Sequence, residues 1–233
     1  MTMRRALMSV TAAGLLLVGT GCTLVDVHVT AYASPTAEVG PGPGAPIAVL
    51  VAARPDRPLL EGEVARKIAR LLAARGLRAA EENVAEYALT AELSIDGGRT
   101  VLRYTPTTEL YPESYRYYYT GPRGTRRTYY VQTTELGPRT RMLPETYREY
   151  TAQLVLTLTR LDPVEERGGP DRIRGRVVWQ AEVITTGSES DVRVLADFLL
   201  AGGFEYFAAD TGRQVRLRLS DADARVKAVR SGS

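Results

Sequence analysis

Glu149-Tyr150-Thr151-Ala152-Gln153-Leu154-Val155-Leu156-Thr157-Leu158-Thr159-Arg160-Leu161 alternates through its middle. Ala152, Leu154, Leu156 and Leu158 fall on one side; Thr151, Gln153, Thr157 and Thr159 fall on the other. A period of two is the signature of a strand with one face in a core and the other near water. Wound as a helix, the same residues would mix the two classes on every face. After a polar connection, Asp162–Arg174, the alternation returns: Val177, Trp179, Ala181 and Val183 against Gln180 and Glu182. The two strands predict a long antiparallel hairpin, and the fold is built around it.

Toward the carboxyl end, Ser188-Glu189-Ser190-Asp191 supplies capping side chains for a helix through about Leu200, with Leu195, Phe198 and Leu199 facing inward. Gly202-Gly203 is expected to interrupt it before Phe204, Tyr206 and Phe207. Val215, Leu217 and Leu219 alternate with Arg216 and Arg218 as a last strand, and residues 220–233 read as a polar, frayed tail. Toward the amino end, Tyr87, Leu89, Ala91, Leu93 and Ile95 alternate with Thr90, Glu92 and Ser94. Leu77–Ala80 is a short strand. Leu60–Arg75 has helical spacing, with Val64, Ile68, Leu71 and Leu72 on one face and Arg66, Lys67 and Arg70 elsewhere. Ile47–Ala52 is a continuous apolar run, suited to a strand covered on both faces. The sum is an α+β fold: one domain over 47–219, a mostly antiparallel sheet, and two helices on one face.

One segment stands outside this plan. Residues 99–147 form an insertion, and the stretch 104–150 holds ten of the thirteen tyrosines. Its centre places two Tyr-rich arms around Gly121-Pro122 and Gly124, which predicts a hairpin. Tyr117, Tyr118, Tyr119, Arg123, Arg126, Arg127, Tyr129 and Tyr130 are the candidate partner-binding residues. Tyrosine offers a rigid apolar face with a hydroxyl, and arginine a planar donor fork that stacks on rings. The plainer reading is that Tyr–Arg pairs stabilise an exposed hairpin by themselves.

The first 22 residues carry a different message. Met1–Arg5 is short and basic, Ala6–Val18 is apolar, and small residues lead to Cys22. The apolar run has the length of a signal peptide and is short for a membrane span. It resembles a lipoprotein signal, with residues 1–21 removed and acyl chains such as palmitate placed on Cys22. Three places before the cysteine, where that pattern prefers Leu, this chain has Gly19. Several acyl chains hold a protein on a membrane far better than one. Thr23 follows, and by resemblance to Gram-negative sorting signals this implies the outer membrane, facing the periplasm. A plain signal peptide, or an uncleaved anchor with Cys22 incidental, is the alternative, and Arg4-Arg5 also resembles a twin-arginine export signal. Residues 22–46 then comprise the attachment point, a short alternating strand from Val25 to Ala33 and a Pro/Gly loop.

The order of a lipidated cysteine, Asp26–Tyr32, Ile47–Ala52, Arg75-Gly76-Leu77, Ala85-Glu86-Tyr87, Val178-Trp179 and a helix after Ser190-Asp191 resembles the small Gram-negative outer-membrane lipoproteins grouped as a domain of unknown function. The same plan is similar to lipoproteins that activate cell-wall synthases. The resemblance implies a location and a fold; it transfers no reaction.

The formal charge is +3, and removal of Arg4 and Arg5 with the leader leaves the mature chain close to neutral. No single-sign field remains to attract nucleic acid. His28 is the only histidine and Cys22 the only cysteine, so a Ser–His–Asp triad or a zinc site has little to draw on. Gly40, Gly42 and Gly44 are separated by prolines, which lack the N–H a phosphate cradle needs. Glu81-Glu82 and Glu165-Glu166 read as solvated loop charge, and Glu92 and Glu182 as strand-face residues. The sequence calls for no cofactor. The expectation is a non-catalytic envelope scaffold or adaptor that contacts the membrane through Cys22 and binds an envelope protein or peptidoglycan-type glycan. Two other readings stand beside it: a carboxylate-based cell-wall hydrolase, and a small-ligand or lipid carrier built on Phe198, Phe204, Tyr206 and Phe207.

Overall fold

Strand β6, Arg126–Leu161, runs for 36 residues, and its two halves do different work. The half from Tyr150 onward is the middle of the main sheet. The half before it forms a two-stranded ribbon with β5, Arg99–Thr120. The computed structural model describes residues 24–35, 40–52, 58–120, 126–162 and 175–231, with 58, 111–120 and 126–136 described by backbone alone.

The remaining elements are β1 (Leu24–Ala33), β2 (Pro46–Val51), α1 (Pro58–Ala74), β3 (Arg78–Ala80), β4 (Tyr87–Ile95), β7 (Gly175–Gly187), α2 (Val192–Glu205), β8 (Val215–Ser220) and α3 (Ala224–Arg230). The strand order is β3-β2-β4-β6-β7-β1-β8. The α+β class holds, but the sheet is mixed where the alternation predicted a mostly antiparallel one. β2 runs parallel to both β3 and β4, because α1 carries the chain back over the sheet between them. The other strand pairs are antiparallel.

Among the described residues the helices number three, not two; they pack on one another, and α1 and α2 lie against the sheet. The stretch read as a frayed tail contains α3. Asp223 caps it by accepting from Arg225 N–H at 2.9 Å, and Val226 and Val229 are fully buried. Helix α2 also departs from expectation: it runs through Gly202-Gly203. A Cβ on Gly202 would stand 2.9 Å from a Val27 methyl, and one on Gly203 2.9 Å from Leu156 Cδ1. The two glycines let the helix settle onto β1, β6 and β7, a packing gain that outweighs their low helix propensity.

Val27, Val29 and Ala31 of β1, Ala152, Leu154, Leu156 and Leu158 of β6, and Trp179, Ala181 and Val183 of β7 line the core beneath α1 and α2. The predicted alternation of β7 fails at one point. A register shift at Leu158/Thr159 turns Val178 inward and leaves Val177 48% exposed. The opposite sheet face carries Thr, Gln and Glu side chains with a small apolar cluster of Ala48, Ala85, Ala88 and Leu161.

Candidate functional site

The ribbon begins where the sheet ends. Asp96, at the end of β4, accepts from Gly98 N–H at 3.0 Å and Thr151 N–H at 2.9 Å, tying the turn to β6. Those backbone donors, Thr151 first, hold the Asp96 carboxyl below its ordinary value. One pair further out, Arg99 Nη2 meets Glu149 Oε2 at 2.6 Å, and the contact raises the arginine. Arg148 donates to the Gly97 carbonyl at 3.0 Å and lies over the Tyr150 ring. These links fix the direction in which the ribbon leaves the body. At about 3.3 Å per residue the 22 residues of β5 span roughly 70 Å.

Along the shank, residues that stand opposite one another share a face. Leu102 faces Thr146, Tyr104 faces Pro144, Pro106 faces Met142, Thr108 faces Thr140 and Leu110 faces Pro138. Of these, Leu102, Tyr104, Leu110 and Met142 are large apolar side chains left 55–63% exposed. The other face carries Arg103 opposite Glu145, Thr107 opposite Arg141 and Glu109 opposite Arg139. The shank is therefore amphipathic across its thickness.

The candidate binding residues sit at the far end. Backbone pairing puts Tyr117 opposite Tyr129, Tyr118 opposite Thr128, Tyr119 opposite Arg127, Arg116 opposite Tyr130, and Thr120 opposite Arg126. The two predicted arms pair with each other along the backbone. Arg123 and Cys22 lie outside the described residues.

Most of the other features singled out in the sequence lie in the body. His28 is half-buried on β1 between Ile184 and Arg216. Glu92 and Glu182 share a sheet face, one strand apart across Val155, and Glu182 accepts from Gln153 Nε2 at 2.6 Å. Phe198 and Phe204 are core residues, and Phe207 stacks on Phe204 and tilts against Trp179. The aromatic cluster that motivated a carrier is thus packing for α2. Glu165-Glu166 lies outside the described residues.

Sequence reading missed a second concentration of charge. Lys67 and Asp197 are 5% and 6% exposed and meet at 2.8 Å. Lys67 also reaches Glu63 at 2.5 Å, Arg230 reaches Asp197 at 2.8 Å, and Arg230 reaches Asp221 at 2.7 Å. The chain of pairs links α1, α2 and α3. The Lys67 ammonium lowers the Glu63 carboxyl, and the Asp197 carboxylate raises Arg230. The pairs tie the three helices together, although Asp197 Oδ1, 2.8 Å from the Lys67 ammonium, makes no hydrogen bond of good geometry.

Among the described residues no group of three or more His, Cys, Asp or Glu is placed to hold a metal ion, and no helix is long and apolar enough to cross a membrane. No family model matches the chain, and no curated protein matches it. Similar solved structures include a PDZ domain protein from Parabacteroides distasonis, with a TM-score of 0.39, 14% identity and 85% of this chain covered. The chain spans 40% of that protein's length. They also include PelC dodecamers from Paraburkholderia phytofirmans. A single-substitution form has a TM-score of 0.39 and 19% identity over 78% of this chain and 98% of that one. A second PelC dodecamer has a TM-score of 0.38 and 16% identity over 79% and 99%.

Proposed function

We propose that the protein is a non-catalytic envelope lipoprotein, anchored through Cys22 in the outer membrane and facing the periplasm, that acts as a scaffold or adaptor. The ribbon is its contact element. The observation that carries this reading is the ribbon itself, roughly 70 Å of paired strand on a small domain. Long two-stranded ribbons are marginal in water when nothing covers them, so a ribbon of this length is best understood with a partner. Tyr117, Tyr118, Tyr119, Arg126, Arg127, Tyr129 and Tyr130, with Arg123 between them in the sequence, supply ring faces and guanidinium forks. That chemistry suits a protein surface or a peptidoglycan-type glycan. The near-neutral mature charge argues against nucleic acid.

Two measurements test the reading. Intact mass of the membrane-extracted chain, beside Cys22→Ala, is expected to show a diacyl or triacyl increment on a chain that starts at Cys22 and to lose it in the variant. Chemical crosslinking in cells, followed by affinity purification of the full chain, is expected to give discrete envelope adducts that vanish when 111–131 is excised. An adduct pattern unchanged by that excision would remove the ribbon tip as the contact surface.

A further inference from the structure

We infer that the apolar face of the ribbon shank rests on a lipid bilayer, the same membrane that holds the amino-terminal chain. The inference rests on the reading that residues 1–23 lead to a membrane, and names what covers one face of the contact element.

The first argument is topological. Val27 pairs with Thr185, and Thr185 with Ala152, so β1 and the later half of β6 run in the same direction, one strand apart. Counting back three residues puts Leu24 level with Glu149, where the ribbon starts. Two strand spacings separate them, about 10 Å. The ribbon thus leaves the sheet from the end at which the chain enters it. Cys22 is two residues further upstream, within about 7 Å of Leu24 along the chain, and the apolar run Ala6–Val18 precedes it. Leu24 itself is 63% exposed. A membrane reached through Cys22 lies on the ribbon side of the domain.

The second argument is the distribution of charge. The five charged residues of 102–110 and 138–146 are Arg103, Glu109, Arg139, Arg141 and Glu145, and every one belongs to the polar face. The opposite face holds none, only Leu, Tyr, Pro, Thr and Met. A surface apolar on one side and charged on the other, with Tyr104 among the apolar residues, suits the boundary between headgroups and acyl chains.

The third argument removes the main competitor for a bare ribbon, addition of another strand to its edge. Pro106 stands opposite Met142, Pro112 opposite Leu136, Pro138 opposite Leu110 and Pro144 opposite Tyr104, all pairs of one parity. An antiparallel ladder exchanges N–H···O bonds only at alternate pairs, and proline is accommodated at the others, where the N–H would point away from the partner strand. Each free edge of the ribbon therefore lacks two outward donors. Such edges resist pairing with a further strand. The ribbon docks by its face.

The test places a nitroxide on single introduced cysteines in the full chain, reconstituted into vesicles of phosphatidylethanolamine and phosphatidylglycerol. Leu102→Cys, Tyr104→Cys and Met142→Cys report the apolar face; Arg103→Cys, Thr107→Cys and Arg141→Cys report the polar one. Collision with oxygen, relative to a water-soluble nickel chelate, is expected to be several-fold higher at the first three. Equal access of the chelate to all six positions would overturn the inference. So would shielding of the first three from both reagents, which is burial against protein, a second copy included. Intact mass of the same samples reads the acyl group on Cys22 separately. Repeating the six readings in a Cys22→Ala background separates the two claims: retained alternation keeps the bilayer contact without the acyl anchor. Alternation present with Cys22 and lost in the variant keeps both, the anchor bringing the shank to the bilayer; no alternation on a Cys22 chain that carries no acyl group would drop both.

Discussion

Asp197 shows how a single side chain can hold three helices. Its carboxylate lies between Lys67 of α1 and Arg230 of α3, at 2.8 Å from each, and two of the three groups are nearly out of water. The spacing of α1 assigns Lys67 to a polar face, and it is the neighbouring helices, absent from any local pattern, that bury it. Asp197→Ala leaves the Lys67 ammonium buried with Glu63 alone and is expected to destabilise the fold by about 3 kcal/mol. Urea unfolding followed by the fluorescence of Trp179, which is 1% exposed, measures this. A loss under about 1 kcal/mol would mean that water or rotamer change relieves the site. Asp223 gives a prediction in pH. Hydrogen bonds from the Arg225 side chain and its N–H lower the carboxyl to about 2. The folded state therefore binds this proton less readily than the unfolded chain. The stabilisation is complete above the ordinary value of 3.8 and drains away as pH falls toward about 2. Asp223→Ala is expected to flatten that part of the acid dependence and to cost about 1 kcal/mol near neutral pH by uncapping α3.

At the scale of elements, legibility followed burial. β1, β4, the later half of β6, and most of β7 have one wet and one dry face, and alternation of Val, Leu and Ala against Thr, Gln and Glu announces that directly. The parallel arrangement of β2 is not written in its residues. Ile47–Ala52 says only that both faces are covered, and direction depends on α1 carrying the chain over the sheet. Helix α3 was hidden by composition, because residues 220–233 are mostly polar. The signal that was there is slight: the capping Asp223 followed by Val226 and Val229, three residues apart and both fully buried. The break expected at Gly202-Gly203 did not occur, since loss of side-chain volume is what lets α2 approach Val27, Val29 and Val183. Gly202→Val is accordingly expected to cost about 2 kcal/mol or more, although valine is the better helix former. The urea midpoint should fall with an unchanged slope. A stabilised variant would show that α2 has room the packing does not reveal.

The whole molecule divides into a body that is folded by its core and an arm that is not. Every residue of the buried cluster lies in the body; the shank from Leu102 to Leu110 contributes none. Sequence pattern located the hairpin and its tyrosines, because Tyr-rich arms around Gly-Pro read locally. It did not reveal that the hairpin continues a strand of the sheet, nor that it shares an end with the amino terminus, since both follow from long-range register. This division predicts that the arm can be removed cleanly. Replacing residues 102–146 by Asn-Gly closes the ribbon after the Val101–Tyr147 pair with a turn matched to strand twist. The Asp96 ties to Gly98 and Thr151 and the Arg99–Glu149 pair are all retained. The body is expected to keep its Tm within about 4 °C, the equivalent of roughly 1 kcal/mol for a domain of this size. Its Trp179 emission should be unchanged, because the rings around the indole belong to α2 and the segment after it. A large fall in Tm would mean that the arm is part of the folding unit, and would recast the ribbon as structure. A stable body without its arm separates folding from contact. Loss of crosslinked adducts or of bilayer contact can then be assigned to the ribbon alone.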